Sequence, residues 1–255
     1  MHRATALGLS AFAVWLGFAS QAVVAQDTGR LTVRAVFKGD EQAYRGKKIQ
    51  AVEGTECIQF HPILTEDVQI NRGEPSTLRN VVVWIKSGPI DFRDPAPSEP
   101  ITVTASRCTF APHVVAVREN QPLYLLNQDS IKHRFQLKRT KDPEFSVVMP
   151  KPGMQISLTL EAEYPIPLVS PTFPWMQAWV LVFDHPYFAT TGLDGVARFS
   201  AFPPGDYELV AWHEKFGVQN QTVTVKAGET TQLDFVFETK NDAPATKTPA
   251  ESPED

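Results

Sequence analysis

Apolar residues in this chain come in short runs, and none of them keeps a 3.6-residue period over three turns, so the pattern predicts strands rather than helices. Leu31-Thr32-Val33-Arg34-Ala35-Val36-Phe37 alternates, as a strand with one buried face does. Val81-Val82-Val83-Trp84-Ile85 is apolar at every position and predicts a strand covered on both faces. Further strands are predicted over His113 to Val117, Pro122 to Leu126, Lys132 to Leu137, Gln155 to Leu160 and Ala178 to Phe183. The stretch from Ser87 to Pro100 carries Pro89, Pro95, Pro97 and Pro100 and reads as a loop, because strand-like residues resume at Ile101-Thr102-Val103-Thr104. Strands about ten residues apart with turns between them predict a β-sandwich or Greek-key barrel.

A second unit is expected from near His185. Thr191-Gly192-Leu193-Asp194-Gly195 reads as a hairpin turn and Pro203-Pro204-Gly205 as another, with strands at Val196 to Phe199, Tyr207 to Trp212, Gln221 to Val225 and Gln232 to Phe237. So few strands make a small core unless they pack on the first unit. From Thr239 onward no large apolar residue occurs, which predicts a solvated tail over 239–255, with a stalk or binding arm as the alternative.

Composition narrows the classes. With 24 Lys+Arg against 29 Asp+Glu the net charge is −5, which excludes a nucleic-acid binder held by a generally basic surface. The 42% hydrophobic and 21% charged shares are those of a packed globular chain, against disorder or a multi-span membrane protein. The first 25 residues have basic Arg3, an uncharged apolar stretch from Ala4 to Phe18, and the small-residue end Val23-Val24-Ala25, which together predict a signal peptide cleaved before Gln26. An uncleaved anchor is the alternative, since the uncharged length could just span a bilayer. After cleavage no membrane span is expected, and the compartment is periplasmic or extracellular. In such a compartment an isolated pair, Cys57 and Cys108, is expected to form one disulfide; a thiolate metal or redox site is the alternative, with no C-x-x-C spacing behind it.

The common catalytic signatures do not occur: there is no G-x-S-x-G, P-loop or G-x-G-x-x-G. His213-Glu214 starts like a zincin motif, but the position four residues after His213 is Gly217. The informative stretches are Asn127-Gln128-Asp129-Ser130-Ile131-Lys132-His133 and Ser170-Pro171-Thr172-Phe173-Pro174-Trp175-Met176. With Cys108 to Val114, Lys151 to Met154, Asp184 to Ala189 and Pro203 to Lys215, they resemble bacterial periplasmic cupredoxin-like proteins of the methylamine-utilisation type. The resemblance implies an all-β fold in which a cupredoxin-like Greek-key sandwich (26–184) is followed by a small unit (185–238). That unit is similar to the transthyretin-like, carboxypeptidase regulatory-like module.

In that family a His after the Asn-x-Asp turn and a later C-x-x-H-x-x-M hold copper. His133 and Met176 match two of these positions, but Ser170 stands at the Cys position and Phe173 at the second His position. A type I centre needs the thiolate and both imidazoles, so the resemblance implies a lost copper site and no cofactor, with copper as the alternative. His133 reads as a core histidine, because alternation turns His133, Phe135 and Leu137 inward and Lys132, Arg134, Gln136 and Lys138 outward. A weaker metal site drawn from His113, His133, Met154, Met176 and His185 stays open.

Two surfaces are weighed for partners. The basic run Lys132, Arg134, Lys138, Arg139 and Lys141 could meet an anionic glycan or acidic protein, or be a solvated strand face. The aromatics Phe199, Phe202, Tyr207, Trp212 and Phe216 could form a contact platform, or fill the small sandwich. The function expected is an exported, non-catalytic binding or scaffold protein with a protein or glycan partner. A metal-binding or electron-transfer protein using His133 and Met176 is the alternative.

Overall fold

Alternation along each strand decides which sheet it joins and which core it feeds. The computed structural model describes residues 28–141 and 145–239, so the signal peptide expected over 1–25 and the tail beyond Thr239 lie outside the described residues. The strands are β1 (Gly29–Lys38), β2 (Ile70–Asn71), β3 (Thr77–Leu78), β4 (Val82–Ser87), β5 (Ile101–Ser106), β6 (Thr109–Ala111), β7 (Val114–Arg118), β8 (Leu123–Asn127) and β9 (His133–Leu137). They continue with β10 (Phe145–Met149), β11 (Gln155–Leu158), β12 (Glu163–Val169), β13 (Gln177–Phe183), β14 (Phe188–Thr190), β15 (Val196–Phe202), β16 (Gly205–His213), β17 (Gly217–Val225) and β18 (Thr230–Glu238). Helical structure among the described residues is limited to 3-10 turns at Gln50–Val52 and Glu56–Phe60, and no helix is long and apolar enough to cross a membrane.

Four sheets result, with strand orders β11-β8-β5-β6, β10-β9-β12-β13-β7, β14-β4-β16-β17 and β15-β1-β3-β2, the last extended by β18 on β1. The first two enclose one core, in which Val103 and Ala105 of β5 and Leu123 and Leu125 of β8 meet Phe135 and Leu137 of β9 and Val180 and Val182 of β13. The last two enclose a second core of Leu31, Val33, Ala35, Val83, Ile85, Leu209, Ala211, Phe235 and Phe237. Between the sandwiches lies a seam of Val82, Trp84, Val114, Leu181, Phe183, Val210 and Trp212. These alternate in sequence with residues of the two cores, so β4, β7, β13 and β16 are apolar on both faces. Burying each large apolar side chain contributes about 1.5–3 kcal/mol, which makes the apolar seam, not its few polar contacts, the main force joining the sandwiches.

The expected division at 184/185 does not describe this arrangement. β1 lies between β15 and a parallel β18, and β4 lies between β14 and β16, so both belong to the sandwich completed by the C-terminal strands. The five C-terminal strands, β14 to β18, do not enclose this core by themselves: Leu31, Val33 and Ala35 of β1 and Val83 and Ile85 of β4 complete it. After β1 the chain crosses to the first sandwich, burying Val52, Cys57 and Ile63 there, and returns to place Val68 and Leu78 in the second. A disulfide from Cys57 to Cys108 pins this excursion, with both cysteines fully buried and the Cα atoms 5.9 Å apart. The loop between Ser87 and Pro100 holds no strand, as expected. At the 191–195 turn Gly195 has φ +66°, and a Cβ there would collide with Thr77, so β15 can approach β3 only with glycine at this position.

Candidate functional site: two buried histidines

The Asn-x-Asp turn is held by its own side chains. The Asp129 backbone N–H donates to Asn127 Oδ1 (2.9 Å), while Asn127 Nδ2 donates to the carbonyls of Ile131 and Met149 (both 2.9 Å). This aims the Asp129 carboxylate at the β5–β6 turn, where it accepts from the backbone N–H groups of Arg107 (2.7 Å) and Cys108 (2.9 Å). His133, fully buried at the start of β9, completes the set with Nε2 2.8 Å from Asp129 Oδ2. A carboxylate can only accept here, so Nε2 carries a proton and, in the neutral ring, Nδ1 the lone pair. Nδ1 is buried and has no hydrogen-bond partner.

The second stretch does come to this histidine. Ser170 N–H donates to the Met176 carbonyl (3.0 Å), Phe173 N–H to Ser170 Oγ (3.2 Å) and Met176 N–H to the Phe173 carbonyl (2.9 Å), forming a closed loop between β12 and β13. Its Phe173 ring sits edge-on to the His133 imidazole, centroids 5.5 Å apart at 70°. Trp175 packs on Phe173 and donates from Nε1 to the Cys108 carbonyl (3.0 Å). Ser170, Phe173 and Met176 are all buried.

A type I copper ion does not fit this donor set. Ser170 offers a hydroxyl already engaged by a backbone N–H, Phe173 offers no donor and fills space beside the imidazole, and only one imidazole nitrogen and one thioether remain. Ligand atoms of Cys108, Asp129 and His133 lie within 4.8 Å of one another, but the Cys108 sulfur is in the disulfide and is no thiolate. Asp129 meanwhile already accepts from two backbone N–H groups and from His133.

The wider set of histidines is not one site. His185 packs among Phe92, Phe183 and Tyr187, where burial pushes its pKa down, and Met154 is exposed. His113 sits at the seam of the sandwiches. Its Nε2 bonds Glu214 Oε1, and Trp179 Nε1 donates to the other oxygen of that carboxylate (2.8 Å). His113 and Trp179 belong to the first sandwich, whereas Glu214 follows β16 of the second. Glu66 Oε2, on the returning leg of the excursion, lies 3.9 Å from His113 Nδ1, and Lys215 Nζ lies 3.9 Å from Asp67. Burial works against a charged His113, but the hydrogen bond and charge of Glu214, with Glu66 and Asp67 behind it, prevail and raise its pKa. Burial and the repulsion of Glu214 likewise raise the pKa of Glu66, although His113 opposes them. Neighbouring His213, buried and close to His113, is pushed down to about 3.

No local pattern in the sequence announces the seam cluster as a whole, where His213-Glu214 reads only as a broken zincin motif. The available signal is the alternation of β16, which extends the seam-facing positions 210 and 212 to Glu214.

Two of the expected surface residues are not on the surface. Trp212 is 6% exposed and stacks edge-on with Trp179 in the seam, centroids 5.4 Å apart, because its strand is covered on both faces. The Arg139 side chain is 7% exposed and paired with Glu163 at 3.2 Å, so the basic surface is reduced to Lys132, Arg134, Lys138 and Lys141. The aromatics Phe199, Phe202 and Tyr207 fill the second core, and Phe216 packs against it. His133, Phe135 and Leu137 point inward as the alternation predicts.

Residues 168–233, about a quarter of the chain, match a family model described as polysaccharide lyase family 4, domain II. No curated protein matches the chain. Among solved structures, a copper-containing nitrite reductase from Thermus scotoductus SA-01 is similar at 18% identity, covering 34% of this chain and 23% of its own, with a TM-score of 0.30. A purple cupredoxin from Nitrosopumilus maritimus is 15% identical, over 32% of this chain and 97% of that one, TM-score 0.28. A reduced amicyanin mutant is 17% identical, over 39% and 97%, TM-score 0.30.

Proposed function

We propose that this is an exported, non-catalytic binding or scaffold protein whose first sandwich is cupredoxin-like and whose type I copper position is filled by core side chains. The observation that carries the reading is the Phe173 ring edge-on to His133, with Nε2 of the same imidazole tied to Asp129. These contacts pack the imidazole and satisfy its Nε2, as in a core histidine. The partner surface proposed is the outward face at β9, where Lys132, Arg134 and Lys138 stay exposed and Arg134 pairs across to exposed Val148 of β10. An acidic protein or anionic glycan in the periplasm suits it.

The unpartnered Nδ1 of His133 favours the second reading, a metal or electron carrier built on His133 and Met176. Two donors, one of them a weak thioether, are too few for copper in that role. The test is electron paramagnetic resonance and voltammetry of the chain after addition of Cu(II). No narrow-hyperfine copper signal and no reversible couple are expected; either one overturns the proposal.

A further inference from the structure

The seam holds a second buried histidine whose surroundings ask for a cation. His113 donates from Nε2 to Glu214, so its Nδ1 carries the lone pair when the ring is neutral. That atom is buried with no hydrogen-bond partner, and the side chain is 8% exposed. Across from it stands the Glu66 carboxylate. A lone pair facing a carboxylate oxygen is repulsive, and 3.9 Å is too long for a direct hydrogen bond even if the nitrogen were protonated.

We propose that His113 Nδ1 and Glu66 bind a divalent cation of the zinc class at the seam between the two sandwiches. Bonds of about 2.0–2.1 Å to nitrogen and oxygen place tetrahedral ligands about 3.3 Å apart, so a swing of roughly half an ångström by the half-exposed Glu66 closes the site. The cavity beside them has a volume of about 20 Å³, which holds one water-sized species and no organic ligand. Gln177 and Thr109 line the same cavity and offer further oxygens, and water can complete the shell from the open side of Glu66. One imidazole nitrogen with carboxylate oxygen suits zinc and its neighbours better than the all-oxygen shells of calcium or magnesium.

The outer shell fits as well. A metal-bound histidine commonly gives its other N–H to a carboxylate that fixes the tautomer, and Glu214, itself 9% exposed and held by Trp179, is placed to do this. Burial raises the Glu66 pKa and repulsion from Glu214 adds to it; the cation would relieve that repulsion. Occupancy would tie the returning leg of the excursion to the first sandwich and, through Glu214, to the second.

The test is a calorimetric zinc titration of the full chain after chelator treatment, with long-range nitrogen NMR of the histidine rings. One equivalent of zinc is expected to bind, with the His113 Nδ1 resonance moving to a metal-ligated position and the thermal midpoint rising. In Glu66→Gln, a near-isosteric change at a half-exposed position that leaves the fold intact by circular dichroism, affinity falls at least tenfold and the midpoint shift is lost. The proposal is overturned if zinc does not bind up to millimolar concentration or if Glu66→Gln binds as well as the natural chain. It is equally overturned if both His113 nitrogens stay protonated in excess zinc.

Discussion

His133 and His113 are built alike up to one neighbour. Each is a buried histidine whose Nε2 is held by a carboxylate and whose Nδ1 has no hydrogen-bond partner. Beside His133 stands the Phe173 ring, inside a core closed by the 170–176 loop, whereas beside His113 stand a carboxylate and a small cavity at the junction of two sandwiches. The difference teaches that a carboxylate-oriented histidine marks a ligand position only when its other nitrogen faces donors and space. The site expected from the resemblance is the closed one, and the site with open chemistry is elsewhere.

The largest effect comes from the disulfide, whose Cys108 N–H is held by Asp129 of the His133 set and whose Cys57 anchors the excursion that carries Glu66. Closing the loop from Cys57 to Cys108, 51 residues apart, is worth about 4 kcal/mol on the chain-entropy model, so a double Cys57→Ser, Cys108→Ser variant should lose about that much in urea unfolding. Next come the two carboxylates. Asp129→Ala strands a buried and a part-buried backbone N–H together with the buried His133 imidazole and should cost about 3 kcal/mol. Glu214→Ala strands the Trp179 indole and the His113 imidazole at the seam and should cost about 2 kcal/mol. Equal losses measured side by side would break the contrast between a sealed core and a seam.

A smaller effect is read through pH. His213 titrates near 3 in the folded chain because burial and His113 disfavour its charge, while the unfolded imidazole titrates near its ordinary 6.5. Below about pH 6.5 the unfolded state therefore binds more protons, and the stability present above that pH is lost as pH falls towards 3, by up to about 1.4 kcal/mol per unit from this group. Unfolding curves at about pH 7 and about pH 5 should show that slope diminished in His213→Phe relative to the natural chain. An unchanged slope would mean that His213 is not the buried neutral group described here.

What the sequence showed depended on whether the cause was local. The apolar run Val81 to Ile85 was legible because both faces of β4 are covered, and the inward turn of His133 because alternation needs only neighbouring residues. The division into units was not legible, since β1 pairs in parallel with β18, 200 residues later, and no local pattern names that partner. Strand β12 is not among the strands the pattern predicts, and it contains Pro165 and Pro167. They are tolerated where the ladder to β13 shifts register between Glu163 and Ile166 and the Pro167 carbonyl still accepts from Lys138 N–H (2.9 Å). That Ser170 and Phe173 stand where the resembled family carries copper ligands was legible from spacing once the resemblance was stated. The seam cluster was not, because Glu66, His113 and Glu214 come from three distant segments that only the stacking of the sandwiches brings together.

The central claim is that the 170–176 loop is in place beside His133 but carries the wrong side chains. Its most direct test is the visible spectrum, with copper added, of the natural chain beside a Ser170→Cys, Phe173→His double variant. An intense thiolate-to-copper band is expected in the double variant alone. The same band in the natural chain, or none in a folded, copper-loaded double variant, would contradict it.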